Sequence, residues 1–183
     1  MNESKKMLLL KLNDSEKWPE IFRPDFIAEL NDFADSSYSK NTIEGYLASL
    51  LIYHQITENM VLSLIQISNF YMQCCLNEFE IMEVNTDKKM FGQLIEILKK
   101  GPRIAKTDDF INMCNELNGL RIKIVHRITL KKDMDQIIAV CKSAKEKFDK
   151  IYVSYSYIYD NWRVNLHSLK KDLIEEIEEI ENE

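Results

Sequence analysis

The stretch that decides the fold is residues 41–81, "NTIEGYLASLLIYHQITENMVLSLIQISNFYMQCCLNEFEI". Its apolar residues recur at alternating steps of three and four, which places them on one face of an α-helix. This seam and its flanks comprise Leu47, Leu50, Leu51, Met60, Val61, Leu64, Ile65, Ile67, Tyr71 and Cys75. We expect a long helix, buried on more than one side, with an N-cap at Asn41, a capping box completed by Glu44, and an end near Phe79. Gly45 lies in its first turn, where a glycine should cost little.

The composition of the whole chain extends this prediction. The 183 residues are 45% hydrophobic and contain only four Gly and three Pro. Such a chain can bury a sizeable core, and its few turn-forming residues favour long helices joined by short loops over a sandwich or barrel. We therefore predict an all-α fold, an up-and-down bundle of about five helices.

Apolar spacing and helix-ending residues locate the other helices. We predict a short helix at 25–33, a loop at 36–39, and a helix at 88–100 that Gly101 and Pro102 end. The next helix follows an N-cap at Thr107, and the last segment restarts at Asp133, with room for a break at 160–162. The predicted organisation is an N-terminal extension at 1–38, a bundle at 39–160, and a C-terminal helix at 161–183 that packs on the bundle or on a partner.

Several classes of protein are disfavoured by the residues themselves. No apolar run approaches the roughly 18 residues of a membrane span, and the run at 7–10 is shorter than the roughly 7-residue core of a signal peptide. The four cysteines show no C-x-x-C spacing and are not paired with histidines at the spacing of zinc ligands. We expect a cytoplasmic protein with reduced thiols, no metal site and no cofactor.

The charge of the chain is unevenly distributed. The net charge is −6, yet the segment from Lys99 to Lys132 contains nine Lys or Arg residues and only three acids. A basic segment on an acidic protein is typical of a site for a phosphate-rich partner, and the alternative is a solvated helix face.

Arg121 and His126 are the candidate catalytic residues of this segment. Two residues five apart on an α-helix differ by about 140° around its axis, so these side chains do not share one face. Two features could nevertheless allow both side chains to contact the same small group of a bound molecule. Gly119 could allow a bend or a close helix approach, or a second copy of the chain could supply its own pair by two-fold symmetry.

The surroundings of this pair resemble the HEPN domains, small all-helical nucleotide- and RNA-binding modules of prokaryotic defence and toxin–antitoxin systems. "LNGLRIKIVH" at 117–126 is similar to their signature of an arginine followed four to six residues later by a histidine, here R-x4-H. "MFGQLIEIL" at 90–98, then a loop and the R-x4-H helix, follow the same order as in that family. The resemblance covers roughly residues 40–155.

The resemblance implies a function. Active members are metal-independent endoribonucleases that work as homodimers, so His126 would act as general acid or base and Arg121 would stabilise the scissile phosphate. The RNA backbone would be attracted by Asn118, Lys123, Arg127, Lys131 and Lys132. An antitoxin or a nucleotidyltransferase is a candidate partner, and no membrane is implied.

Alternatives remain at several of these positions. The residue after the arginine is usually polar in the family, but here it is Ile122, which favours a non-catalytic module that binds RNA, a nucleotide or a protein. Asn118, one turn before Arg121, could supply a polar group instead. A purely structural role would pair Arg121 with Glu116 or with an acid on another helix. His54 and Glu58 form either a helix-stabilising pair or part of the same cleft. Besides the ribonuclease and the non-catalytic binding module, the third hypothesis is a structural helical assembly protein.

Overall fold

The computed structural model describes residues 3–76 and 84–182, and this part of the chain is an all-α helical bundle without strands. Its six α-helices are α1 (Glu3–Asn13), α2 (Pro24–Ser39), α3 (Ile43–Cys75), α4 (Phe91–Lys100), α5 (Thr107–Val125) and α6 (Met134–Asn182). Two short 3-10 turns, Ser15–Lys17 and Ile128–Leu130, follow α1 and α5. The predicted fold class is confirmed.

Helix α3 is the predicted long helix, although both of its ends differ from the prediction. The N-cap is Thr42, whose Oγ1 accepts a hydrogen bond from Gly45 N–H at 3.1 Å. Asn41 precedes it with a φ of 54°, and its Oδ1 accepts a hydrogen bond from the Tyr46 hydroxyl at 2.8 Å. The helix ends at Cys75, before the expected end at Phe79, which lies outside the described residues.

The core lies where α3 packs along α6. Tyr53 of α3 stacks on Phe148 of α6 with ring centroids 4.4 Å apart, and both rings are buried. Farther along the same two helices, the hydroxyls of Ser63 and Tyr155 lie 3.1 Å apart and share a hydrogen bond. Buried apolar contact therefore supplies most of the attraction, and hydrogen bonds set the pairing of the two helices.

A polar network adds α2 to this pair. The buried Tyr53 hydroxyl donates to Asp35 Oδ1 of α2 at 2.6 Å, and Lys145 of α6 lies 3.3 Å from the same oxygen. Burial, followed by the hydrogen bond and charge of Asp35, raises the pKa of Tyr53, so the phenol stays protonated. Three helices thus meet at one carboxylate.

Helix α6 runs unbroken for 49 residues, so the predicted break at 160–162 is wrong. Trp162 is buried between Ile158 and Leu166, one turn away on either side, and this apolar spacing carries the helix past Asp160 and Asn161. The boundary proposed between residues 160 and 161 therefore lies inside one helix.

The C-terminal part of α6 packs on its own chain. It contacts α1, which the sequence analysis missed, and the buried residues there include Leu8, Leu12, Leu173 and Ile177. Lys5 Nζ donates to Glu176 at 2.8 Å across the same contact. Within this chain, the C-terminal part of α6 thus packs on α1, a helix of the predicted N-terminal extension.

Other helix ends also shift. Residues 36–39, predicted as a loop, belong to α2, and α4 begins at Phe91 instead of residue 88. Thr107 is the first residue of α5 and not its N-cap; its Oγ1 accepts a hydrogen bond from Ile104 N–H at 3.3 Å. Asp133 accepts one from Gln136 N–H at 2.9 Å, which confirms the predicted restart before α6.

The two glycines that the sequence analysis singled out have opposite surroundings. A Cβ added to Gly45 would lie 2.2 Å from the backbone oxygen of Ser37, so α2 and α3 approach each other here through the missing side chain. At Gly119 no atom would lie within 4 Å of an added Cβ. Gly45 is therefore required for the close approach of α2, a role that its place in the first turn did not predict, and no neighbouring helix approaches closely at Gly119.

We predict that Gly45→Ala destabilises the protein by about 1–3 kcal/mol, because the added methyl overlaps a backbone atom that cannot move freely. Gly119→Ala is the matched control and should stabilise by about 0.5–1 kcal/mol, because alanine loses less entropy in a helix. Urea unfolding followed by circular dichroism measures both. A Gly45→Ala protein as stable as Gly119→Ala would contradict the close approach of α2 and α3.

Candidate functional site

The last two turns of helix α5, where the candidate residues lie, pack on the core along one face only, through the buried Ile124. Phe110, Cys114 and Leu117 are fully buried in its first part. Asn118 and Arg121 are then only half-buried. Ile122 and Val125 expose 38% and 41% of their surface, respectively. The motif residues therefore lie on the face of α5 that the bundle leaves at least partly uncovered.

A contact between α3 and α5 begins at His54. This side chain is only 4% exposed, and its Nε2 lies 3.3 Å from Asn118 Oδ1, to which it donates when it carries the proton. The edge of the Phe91 ring, at the start of α4, closes the other side with ring centroids 4.7 Å apart. His54 and Asn118 are thus brought together, which is expected if His54 belongs to the same site as the R-x4-H helix.

Arg121 is electrostatically coupled to two residues of α3, His54 and Glu58. Burial lowers the pKa of His54, the Asn118 hydrogen bond opposes this, and the positive charge of Arg121 lowers it further, which favours the neutral ring. Burial raises the pKa of Glu58, against the lowering effects of Arg121 and of a hydrogen bond from Gln55. We call His54, Glu58, Asn118 and Arg121 the polar cluster.

The partners of the neighbouring residues bear on the structural alternatives for Arg121 and His54. Glu116 forms an ion pair with Lys147 of α6, so it is not the partner of Arg121. The carboxylate whose pKa Arg121 lowers is Glu58, an acid on another helix. Within the described residues, His54 bonds Asn118 and Glu58 bonds Gln55, instead of forming a pair with each other.

His126 lies apart from the polar cluster. It is the exposed C-cap of α5, and its backbone N–H donates to Ile122 O at 3.1 Å. Because α5 is helical through Gly119, His126 and Arg121 project about 140° apart around the axis. The exposed imidazole can exchange protons with a bound molecule, while Arg121 can bind an anion at the edge of the cluster.

Of the predicted RNA-binding residues, Asn118 belongs to the polar cluster, and the four basic ones lie close to His126 in the chain. Lys123 lies in the last turn of α5, Arg127 follows His126, and Lys131 and Lys132 follow the 3-10 turn. Lys131 is half-buried and the other three are exposed. We call these four residues and His126 the basic surface.

Two features of the region were not predicted. One is Phe91, whose ring packs on His54 although the sequence marked it only as an inward-facing residue. The other is an open cavity of about 350 Å³ beside Lys131 and Lys132, where the starts of α3 and α6 meet the 3-10 turn. In the sequence, the apolar residues Ile128 and Met134, close after His126 and among lysines, were the available signal for this cavity.

The described residues offer neither a metal-binding group nor a membrane-spanning helix. Among the residues that the structure describes, no group of three or more His, Cys, Asp or Glu side chains is placed to hold a metal ion. No helix there is long and apolar enough to cross a membrane. Cys74, Cys114 and Cys141 are buried, and burial raises the pKa of each thiol.

Comparisons with known proteins complete the description of the site. The chain matches no protein-family model, no curated protein and no solved structure.

Proposed function

We propose that this protein binds RNA through the basic surface and Arg121, and cleaves it as a metal-independent endoribonuclease of a cytoplasmic toxin–antitoxin or phage-defence system. The observation that supports this most is the exposed face at the end of α5. There an exposed histidine follows a half-buried arginine by one and a half turns, with four further basic residues around them. A catalytic histidine must reach its substrate, and the exposure of His126 meets that requirement.

The proposed reaction needs proton transfer and charge stabilisation only. The ribose 2′-oxygen forms a bond to the adjacent phosphorus while the bond from phosphorus to the 5′-oxygen breaks. One histidine accepts the 2′-hydroxyl proton and another donates a proton to the leaving oxygen. Arg121 stabilises the additional negative charge on the phosphoryl oxygens. No metal takes part in any of these steps.

A second copy of the chain would supply the second histidine. Ile122 and Val125 lie between Arg121 and His126 around the axis of α5, and both are exposed apolar side chains. Packing this strip against its copy in a two-fold dimer would bury it and bring two Arg121 and two His126 side chains to one groove. The homodimer is thus part of the proposal.

The second candidate function is RNA binding without cleavage. Ile122 supports it, because this position is usually polar in the family that the helix resembles. Ile122 is apolar and exposed, so the residue that follows Arg121 supplies no polar group to orient the phosphate. Such a module would retain the basic surface and lose only the reaction.

We predict that the purified protein cleaves total RNA in EDTA, and that His126→Ala lowers the rate at least about 100-fold. Arg121→Ala should lower it by a similar factor, because it removes charge stabilisation in the transition state. Gel analysis of single-turnover reactions measures the rates. Lys150→Ala, an exposed α6 variant, is the control and should match the wild-type protein.

The same assay separates the two candidates when RNA binding is measured beside it by fluorescence anisotropy. Binding without metal-free cleavage would establish the second function in place of the first. Equal background cleavage by the wild-type protein and His126→Ala, together with no RNA binding, would exclude both and leave a structural role.

We further predict that Glu58→Gln tightens RNA binding by about threefold to tenfold, or about 0.7–1.4 kcal/mol. Glu58 and Arg121 are electrostatically coupled, so this carboxylate repels a phosphate that approaches the arginine. Anisotropy titrations at two salt concentrations measure the effect, which should shrink at the higher one. Glu175→Gln in the C-terminal part of α6 removes the same charge and should change the affinity less than about twofold.

A further inference from the structure

The cavity beside the basic surface combines an apolar lining with positive charge. Its apolar wall is formed by Ile43 and Leu47 of α3, Ile128 of the 3-10 turn, and Met134 and Ile137 of α6. Its volume of about 350 Å³ falls within the usual range of small-molecule sites, roughly 300–1,000 Å³. An occupant therefore needs a compact apolar body.

The charged residues at the same cavity favour an anion beside that body. Lys131 and Lys132 both line it, together with Asp133. The Asp133 carboxylate already accepts a hydrogen bond from Gln136 N–H at 2.9 Å, which ties it to the first turn of α6. Lys132 N–H donates to Gln136 Oε1 at 3.3 Å, so the backbone that carries the lysine is anchored to that turn as well.

The cavity is also close to the candidate catalytic histidine. Ile128 of its wall follows His126 by two residues, so their Cα atoms are at most about 7.6 Å apart. Arg127 lies between them and is exposed. A strand whose phosphate reaches His126 is therefore close enough to extend a neighbouring nucleotide to this cavity.

We propose that the cavity holds one base of the bound RNA strand, next to the nucleotide whose phosphate meets His126, while Lys131 and Lys132 bind the phosphate of that base. This rests on the proposed function for its place in the reaction, but the pairing of base and phosphate is a property of the cavity itself. Aliphatic side chains and Met134 contact the flat faces of the base. The lysines bind its phosphate without reading sequence.

The test uses mononucleotides, so that it does not depend on RNA cleavage. The full-length protein, with labelled Ile, Leu and Met methyl groups, is titrated with AMP, GMP, CMP and UMP, and with ribose 5-phosphate as the control that lacks a base. At least one nucleotide should shift the methyl signals of Leu47, Ile128 and Met134, whereas ribose 5-phosphate should leave them in place. Ribose 5-phosphate causing equal shifts, or no shift with any nucleotide, would overturn the proposal.

Charge variants test the second half of the proposal. Lys131→Gln with Lys132→Gln should weaken nucleotide binding by about tenfold, through the loss of charge-assisted contacts to phosphate. Lys99→Gln with Lys100→Gln, the consecutive lysines that end α4, changes the charge equally and should have less than about a twofold effect. Equal weakening by the two double variants would show a general charge effect and overturn the assignment.

A cavity-filling variant and a competing ligand complete the design. Thr129 lines the cavity and is exposed, so Thr129→Phe can fill the space without disturbing the core and should abolish the methyl shifts. Decanoate tests an acyl chain as occupant: shifts with decanoate and none with nucleotides would replace the base by a fatty acid. Nucleotide binding with no RNA cleavage would leave this inference standing while the endoribonuclease proposal failed.

Discussion

The structure depends on the burial of α3 on several sides. Helices α2, α4, α5 and α6 all contact it, and its fully buried residues include Leu50, Ile56 and Leu64. Each such side chain contributes roughly 1.5–3 kcal/mol by leaving water, so the other helices have a common surface on which to assemble. The close approach at Gly45 and the carboxylate of Asp35 then determine how α2 lies on that surface.

Within the apolar core around α3, the polar contact between His54 and Asn118 determines how α5 is placed. His54 is almost completely buried, and a buried polar group without a partner costs about 1–3 kcal/mol. Asn118 satisfies His54 only where the two helices meet in the observed alignment. The same alignment leaves Arg121, one turn after Asn118, electrostatically coupled to Glu58, while Ile124 keeps the last turn of α5 on the core. The location of the candidate site thus follows from the packing of the histidine.

The sequence was informative wherever apolar spacing alone decides the structure. The seam from Leu47 to Cys75 predicted α3, because a buried helix repeats its apolar residues regularly. The predictions failed where tertiary contact overrides local preference: Ser37 is helical because it packs at Gly45, and Trp162 carries α6 through polar residues. Asn118, His54 and Glu58 could be placed in one cleft only as an alternative, since helix periodicity does not give the alignment between helices.

The geometry of α5 also limits how a metal-free reaction could occur. A single chain exposes one histidine on this helix, while His54 is buried and its pKa is lowered, so it stays neutral and covered. Proton transfer at both the attacking and the leaving oxygen needs two groups that reach the RNA. A rigid helix that separates Arg121 from His126 by about 140° cannot supply both sides of one phosphate. The cleavage that we propose is therefore coupled to the proposed second copy, and the exposed apolar strip of Ile122 and Val125 lies between Arg121 and His126 around the axis of α5.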